Sequence, residues 1–295
     1  AEKPAPGPEE PAVERSITAG GVEMVASDDS NQKVWSARSE TATLDMMTND
    51  NVVSRMAGVT GDLYQKGEVA STYRAEEAFA NRTDRKLTLK GDVQVQNSDG
   101  PEALSAQALD WIPDKELIQL RGDVSVSSGK TYQAGPFGLL WATPDLNIIG
   151  TPDTFQPKPN MKALLASLAI TTVLAPQSIV FKSDDLVVRG MTSWRAERSG
   201  EIAIIFKGKG NPFTMDLPKR QMELRGMTVE GEMIKNKTGA YELRNAQVTG
   251  PAEAQFQRDG KTQNLKAAAF EFSSKGETAT VSATGGTTFA AMNSS

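Results

Sequence analysis

The sequence contains neither cysteine nor histidine. This excludes disulfides, thiol nucleophiles and the imidazole group that most often serves as a general base or a zinc ligand. Carboxylate chemistry and Ser/Lys pairs remain, but the acidic residues lie mainly beside Gly, Asn and Ser, where solvated turns are the simplest interpretation. The composition therefore predicts a protein that is not an enzyme, has no catalytic residues, and needs no cofactor and no metal.

Long runs of one charge are also missing. Lys and Arg total 32 against 37 Asp and Glu, which gives a net charge of -5, and neither sign is arranged to follow a phosphate backbone. Nucleic acid is therefore not an expected partner. With 295 residues and 38% hydrophobic residues, the chain is long enough for two domains or one elongated array with a buried core.

Residues 1–16 are predicted to be a flexible linker. The stretch AEKPAPGPEEPAVER is rich in Pro, Glu and Ala and offers little apolar surface to bury. The sequence does not begin with Met, which fits either removal of an upstream signal peptide or anchor, or a boundary chosen for expression. From about residue 34, apolar and polar residues alternate between turn-forming clusters, which predicts a series of β-hairpins.

An internal repeat with a period of 31 residues is the most informative feature. Leu87–Val95 (LTLKGDVQV) recurs as Ile118–Val126 (IQLRGDVSV), and Tyr73–Ala75 aligns with Leu104–Ala106 at the same offset. The C-terminal part contains the same unit in two further segments, Met222–Gly226 (MELRG) and Leu265–Phe272 (LKAAAFEF). The two parts of the chain are therefore built from one kind of unit.

The repeat predicts strands with one apolar and one polar face, each interrupted by a glycine. Gly91 and Gly122 stand in the middle of the apolar rows, where glycine marks a bend, a bulge or a close approach. In Leu104–Trp111 the apolar parity changes, which predicts a bulge near Ala108. Alternating small and large side chains favour a trough along the sheet, although they are equally consistent with two curved sheets packed closely together.

These segments resemble the OstA-type repeat of the lipopolysaccharide transport proteins, which include the membrane-anchored LptC and the soluble bridge component LptA. Gly61–Gly67 (GDLYQKG), Tyr73–Ala78 (YRAEEA), Leu87–Val95 and Leu104–Trp111 follow one another in the order typical of that family. The resemblance covers residues 34–155 well and residues 177–290 more loosely.

The resemblance implies an all-β chain of two tandem twisted, open antiparallel β-jellyrolls. We expect an LptC-like domain at 17–156, a junction at 157–176 and an LptA-like domain at 177–295. Lipopolysaccharide or a similar multi-acyl lipid would bind in an apolar groove, with other jellyroll transport proteins paired along edge strands. An inner-membrane transporter complex is a further expected partner. The implied location is the periplasm, with any anchor on a segment outside this chain.

The family implies lipid contacts spread over many apolar positions. The candidate lipid-binding residues are therefore the apolar residues of the repeat: Leu87, Leu89, Val93, Val95, Leu104, Leu109, Trp111, Ile118, Leu120, Val124, Val126, Leu265, Phe270 and Phe272.

Residues 161–175 (MKALLASLAITTVLA) form an apolar run that is short for a membrane span. Three interpretations remain open: a relic secretory signal sequence, a short helix that plugs one jellyroll, or a pair of buried strands. Pro152, Pro157 and Pro159 independently favour a linker at this junction.

Two other functions compete with lipid transport. A structural or adhesive β-array at the cell surface would have the same strand pattern but no ligand. An enzyme acting on polysaccharides would need two carboxylates about 5 to 9 Å apart in a cleft. No spacing in the sequence favours such a pair.

Overall fold

The computed structural model describes most of the chain, and its strands confirm the all-β class. Within the described ranges there is no α-helix, and a single 3-10 turn occurs at Pro218–Arg220. The described residues are 13–47, 52–112, 116–129, 131–154, 178–200, 203–258, 261–275, 278–284 and 287–290.

The strands follow one another closely along the chain. Their bounds are β1 Val13–Ser27, β2 Lys33–Met47, β3 Val52–Gln65, β4 Glu68–Asn81, β5 Lys86–Asn97, β6 Glu102–Ile112, β7 Leu117–Ser128, β8 Tyr132–Ala142, β9 Ile148–Gly150, β10 Ile179–Ser183, β11 Val187–Ser199, β12 Ala203–Leu217, β13 Met222–Lys235, β14 Tyr241–Arg258, β15 Lys261–Lys275, β16 Thr278–Ala283 and β17 Thr287–Ala290. Strand β1 starts inside the predicted linker and lies before residue 34, where the alternation was predicted to begin. The sequence pattern did not indicate this strand because the glycine pair in β1 interrupts the alternation.

The strands form one long antiparallel sheet in which neighbours in the sequence are neighbours in space. Each strand from β1 to β8 pairs with the next, and the same holds from β10 to β17. Turn chemistry supports this meander: the Asn81 side chain accepts a 3.0 Å bond from the Asp84 amide, and the Asn236 side chain accepts one from Ala240.

Two short strands join the two parts of the sheet. Strand β10 pairs with the first part of β8, at Tyr132–Gly135, while β9 pairs with its last residues, Trp141 and Ala142. Strand β11 then pairs with both β9 and β10. We call this region the seam. Hydrogen bonding is thus continuous across the predicted domain boundary, while the junction 157–176 lies outside the described residues and the division into two jellyrolls stays a prediction.

Nearly every long strand is interrupted near its middle, and the interruptions form a line across the sheet. The register shifts between Arg74 and Glu77 on β4, between Ser105 and Ala108 on β6, and between Thr249 and Ala252 on β14. The bulge expected near Ala108 is therefore present. We call the line the crease; it divides each strand into two arms, such as Lys86–Lys90 and Val93–Asn97 of β5.

Positive backbone φ angles produce the crease in the repeated unit. Gly91 and Asp92 have φ of 73° and 37°, and the equivalent Gly122 and Asp123 have 77° and 45°. Such angles suit glycine and are tolerated by aspartate, whose short polar side chain can bond locally. The repeat in the sequence is therefore a repeat of this bend.

The crease brings the two arms of the sheet face to face. The indole nitrogen of Trp35, near the β1–β2 turn, donates a 2.8 Å bond to the Arg85 carbonyl at the β4–β5 turn. These two turns lie at opposite ends of their strands, so a flat sheet would hold them apart. The inner faces of both arms consequently share one apolar core, which runs from β1 to β16.

Candidate functional site

The residues predicted to bind lipid all lie in this shared core. Thirteen of them are at most 2% exposed, and Leu265 is half-buried against the same cluster. The structure therefore brings the two groups of candidates, from the first repeat and from β15, into one continuous apolar interior. Whether they contact lipid stays a prediction.

The interior is traced most clearly by one row of paired residues on the inner face of the sheet. Successive partners in this row are Ile17, Leu44, Ser54, Ala80, Leu87, Trp111, Ile118, Ala142, Ile149, Ala196, Phe206, Gly231, Ala246, Phe272 and Val281. The row crosses the seam without a break. A path along it runs perpendicular to the strands.

The interior is closed along most of its length and less covered at β1. Leu87, Leu120 and Phe272 are at most 2% exposed within the shared core, so a ligand reaches them only where the arms separate. At the β1 end, by contrast, Val13 is 50% exposed and Ile17 is 48% exposed. The apolar row thus ends in accessible apolar surface, which we call the β1 mouth.

Aromatic side chains fill the interior at the seam. Phe181 stacks on Phe206 with ring centroids 5.0 Å apart, and Trp194 lies 5.4 Å from Phe137 and 6.3 Å from Tyr132. Phe181 and Tyr132 belong to one arm and Trp194 and Phe206 to the other, so the ring contacts join the two arms. These residues were not among the sequence-based candidates, although the alternation Trp194-x-Ala196 on β11 signals an inward face.

Several polar groups inside the core have no hydrogen-bond partner among the described residues. The indole nitrogens of Trp111 and Trp194 are buried in this way, as is the hydroxyl of Ser54 on the inner row. Trp35 differs, since its indole nitrogen bonds to the Arg85 carbonyl. An unpaired buried donor costs about 1 to 3 kcal/mol.

One edge of the interior is closed by a buried charged group. The Glu102 carboxylate, 4% exposed, accepts bonds from Arg198, Ser128 and Asn97 at 3.1, 3.3 and 3.4 Å. Burial raises the pKa of the neighbouring Tyr132 hydroxyl, and the Glu102 charge raises it further. The polar groups at this edge therefore form hydrogen bonds and an ion pair with one another.

The outer face is polar and carries a shallow trough of about 480 Å³ across β4 to β7, lined by residues including Thr72, Arg74, Gln96 and Ser125. Among the described residues, no group of three or more acidic side chains is placed to hold a metal ion. No helix in the described part of the chain has the length and apolar character needed to cross a membrane.

Comparison of the sequence with models of known protein families and with curated proteins finds no match.

Proposed function

We propose that the protein is a periplasmic lipid carrier that holds the acyl chains of lipopolysaccharide, or of a similar multi-acyl lipid, inside the creased sheet. In this proposal the sheet forms two tandem OstA-like jellyrolls, and the chain contributes to a bridge between the inner and outer membranes. It carries out no chemical reaction.

The observation that supports this proposal best is the continuous row of paired inward residues from Ile17 on β1 to Val281 on β16, in which Ser54 is the only polar side chain. The row ends at Ile17, which is 48% exposed, so an acyl chain has an apolar surface to contact at this end of the sheet. Burying an acyl chain contributes about 0.8 kcal/mol for each methylene removed from water. A chain held along this path would therefore be bound by several kcal/mol before ordering costs.

The ends of the sheet support the assembly part of the proposal. Among the described strands, β1 pairs only with β2, and β17 pairs only with β16. Each therefore has one backbone edge with which no described strand pairs, and such an edge can accept a strand from another sheet. Different edges at the two ends favour head-to-tail contacts with other jellyroll transport proteins, including those of an inner-membrane transporter complex.

A passive interior lowers the barrier to lipid transfer but does not set its direction. A ligand shifts an equilibrium only through differential affinity, so net movement requires a partner that supplies energy. The transporter complex has that role in this proposal.

The main alternative is a structural or adhesive β-array without a ligand. To distinguish the two, we would place a diazirine analogue of leucine at Leu120, which is fully buried on the inner face, and a diazirine analogue of lysine at Arg121, which is half exposed on the outer face. Irradiation in the presence of lipopolysaccharide should give a lipid adduct at position 120 and none at position 121.

Equal labelling at both positions, or no labelling at either in a protein that remains folded by circular dichroism, would favour the adhesive array. Leu120 and Arg121 are adjacent in sequence, so the two probes sample the two faces of β7 at the same position along the strand.

A further inference from the structure

Packing alone does not explain two buried indole donors of the interior, one on β6 and one at the seam. Trp111 lies on β6 and Trp194 on β11; they are 2% and 0% exposed, and neither indole nitrogen has a partner among the described residues. Isolated buried donors are rare because each one costs free energy comparable to a lost hydrogen bond.

One inward tryptophan of this fold does have a hydrogen-bond acceptor for its indole nitrogen. The Trp35 nitrogen is equally buried, yet it donates to the Arg85 carbonyl at 2.8 Å. Whether an indole nitrogen has an acceptor therefore depends on the groups immediately around it. Trp111 stands in the inner row beside Leu87 and Ile118, and these neighbours offer it only apolar side chains.

We propose that Trp111 and Trp194 donate hydrogen bonds to carbonyl groups of the bound lipid, so that the interior selects amphiphiles whose chains are joined through ester or amide linkages. This inference rests on the proposed function, since it assumes that lipid occupies the interior. A lipid that enters between the arms would bring a carbonyl acceptor to these donors, which the packed core leaves without one.

The position of Trp194 indicates where along the interior the lipid carbonyl would be bound. Its ring contacts Phe137, Phe181 and Tyr132 across the seam, with centroids 5.4, 6.0 and 6.3 Å apart. A carbonyl held there lies where the two walls are bridged by aromatic rings. Trp194 thus places one of the two recognition points at the seam, and Trp111 places the other on β6.

The test compares two lipids that differ only in the carbonyl groups: a diester glycerophosphocholine and the diether compound with the same headgroup and chain length. Binding of each, presented in detergent micelles, is measured for the wild type and for Trp194→Phe and Trp111→Phe. Each substitution keeps an aromatic ring and removes the N–H donor. Trp35→Phe is the control, because its donor is already used within the fold.

We expect the wild type to bind the diester more tightly than the diether, by about three- to tenfold for each carbonyl bond made. Trp194→Phe and Trp111→Phe should lower that ratio, whereas Trp35→Phe should leave it unchanged. The ratio is informative because a loss of packing from the smaller ring weakens both lipids equally.

The outcomes separate the two proposals. If the wild type binds both lipids equally, or if the ratio is the same in all variants, the indoles do not recognise the linkage and the inference is wrong while lipid binding stands. If a folded wild type binds neither of these lipids nor lipopolysaccharide, the proposed function itself is contradicted. Binding of lipopolysaccharide alone contradicts only the inference, because the ester linkage is then not sufficient for recognition.

Discussion

Arg198 on β11 forms a 3.1 Å ion pair with Glu102 at the start of β6, although the two residues are 96 positions apart. Arg198 lies on one arm of the creased sheet and Glu102 on the other. The pair also joins the two predicted domains. The ion pair therefore links the two arms of the sheet and also links the two parts of the chain.

Removing one partner of this pair should strongly destabilise the fold. Arg198→Ala leaves the Glu102 carboxylate, 4% exposed, with two neutral donors. Breaking a buried pair in this way costs about 3 to 5 kcal/mol, and since Arg198 is itself 19% exposed we expect the lower end of that range. Urea denaturation measures the change.

Arg189→Ala is the matched control for that experiment. Arg189 pairs with Asp216 on the outer face, where the two side chains are 55% and 26% exposed. Exposed pairs contribute about 0 to 1 kcal/mol. Equal losses in the two variants would show that the Glu102 pair is no more than a surface contact.

The crease predicts a difference between two glycines with similar backbone angles. Gly91 has φ of 73°, and a Cβ added there would lie 2.9 Å from the Cβ of Glu76, whereas Gly200 has φ of 67° and open space around it. Alanine should cost about 1 to 2 kcal/mol at position 200 from the left-handed conformation alone. At position 91 crowding adds about 1 kcal/mol or more.

Chemical denaturation of Gly91→Ala and Gly200→Ala tests this prediction. Identical losses would mean that the strand relaxes around the new methyl group. The contact at Gly91 also corrects the sequence interpretation, which placed this glycine in the apolar row. The positive φ at residues 91 and 92 directs its missing side chain towards the exposed Glu76.

Two buried tryptophans should respond differently to loss of their indole nitrogen. Trp35→Phe removes a 2.8 Å bond and leaves the Arg85 carbonyl without that donor, whereas Trp194→Phe removes a donor that has no partner in the described part of the chain. Both variants lose the same ring volume. We therefore expect Trp35→Phe to be less stable than Trp194→Phe by about 1 kcal/mol, as measured by urea titration without lipid. A reversed order would contradict the assignment of the two donors.

Alkaline pH should destabilise the fold through its buried tyrosines. Burial is the main cause that raises the pKa of Tyr73 and of Tyr132 above its ordinary value. In the unfolded chain the tyrosines ionise near pH 10, whereas in the folded protein they stay protonated to a higher pH. Their contribution to the free energy of unfolding is therefore fully present below pH 10 and is lost as the pH rises above it. The slope should approach about 1.4 kcal/mol per pH unit for each tyrosine.

Tyr73→Phe isolates one of these contributions. The variant loses the 2.8 Å bond from the tyrosine hydroxyl to the Ser36 carbonyl, which costs about 1 kcal/mol at neutral pH. Its stability should then fall less steeply than that of the wild type between about pH 10 and 11, where unfolded tyrosine ionises. Parallel alkaline slopes would indicate that Tyr73 ionises normally in the folded state.

The repeated strands were predictable because their information is local. Alternation in Leu87–Val95 and Ile118–Val126 predicts which side chains are buried, and in both segments every Leu, Ile and Val is buried while every polar residue is at least partly exposed. The bulge near Ala108 was also visible, since a change of parity within one strand moves the apolar side chains to the opposite face unless an extra residue is inserted.

The contacts across the crease were not predictable from such local patterns. Nothing near Arg85 indicates that its carbonyl meets Trp35, 50 residues earlier, because that contact depends on the bend of every strand between them. The aromatic bridge at the seam depends in the same way on strands β8, β10, β11 and β12 meeting. Alternation identifies inward faces but not which inward faces oppose one another.

The crease separates two dimensions of the interior that are usually coupled. The length of the arms sets the width of the cross-section, while the number of strands sets the distance from one end to the other. Each added hairpin extends the sheet by about 10 Å, two strand spacings, and leaves the bend unchanged. The span of such a chain can therefore change in steps of one hairpin while the width of its interior stays constant.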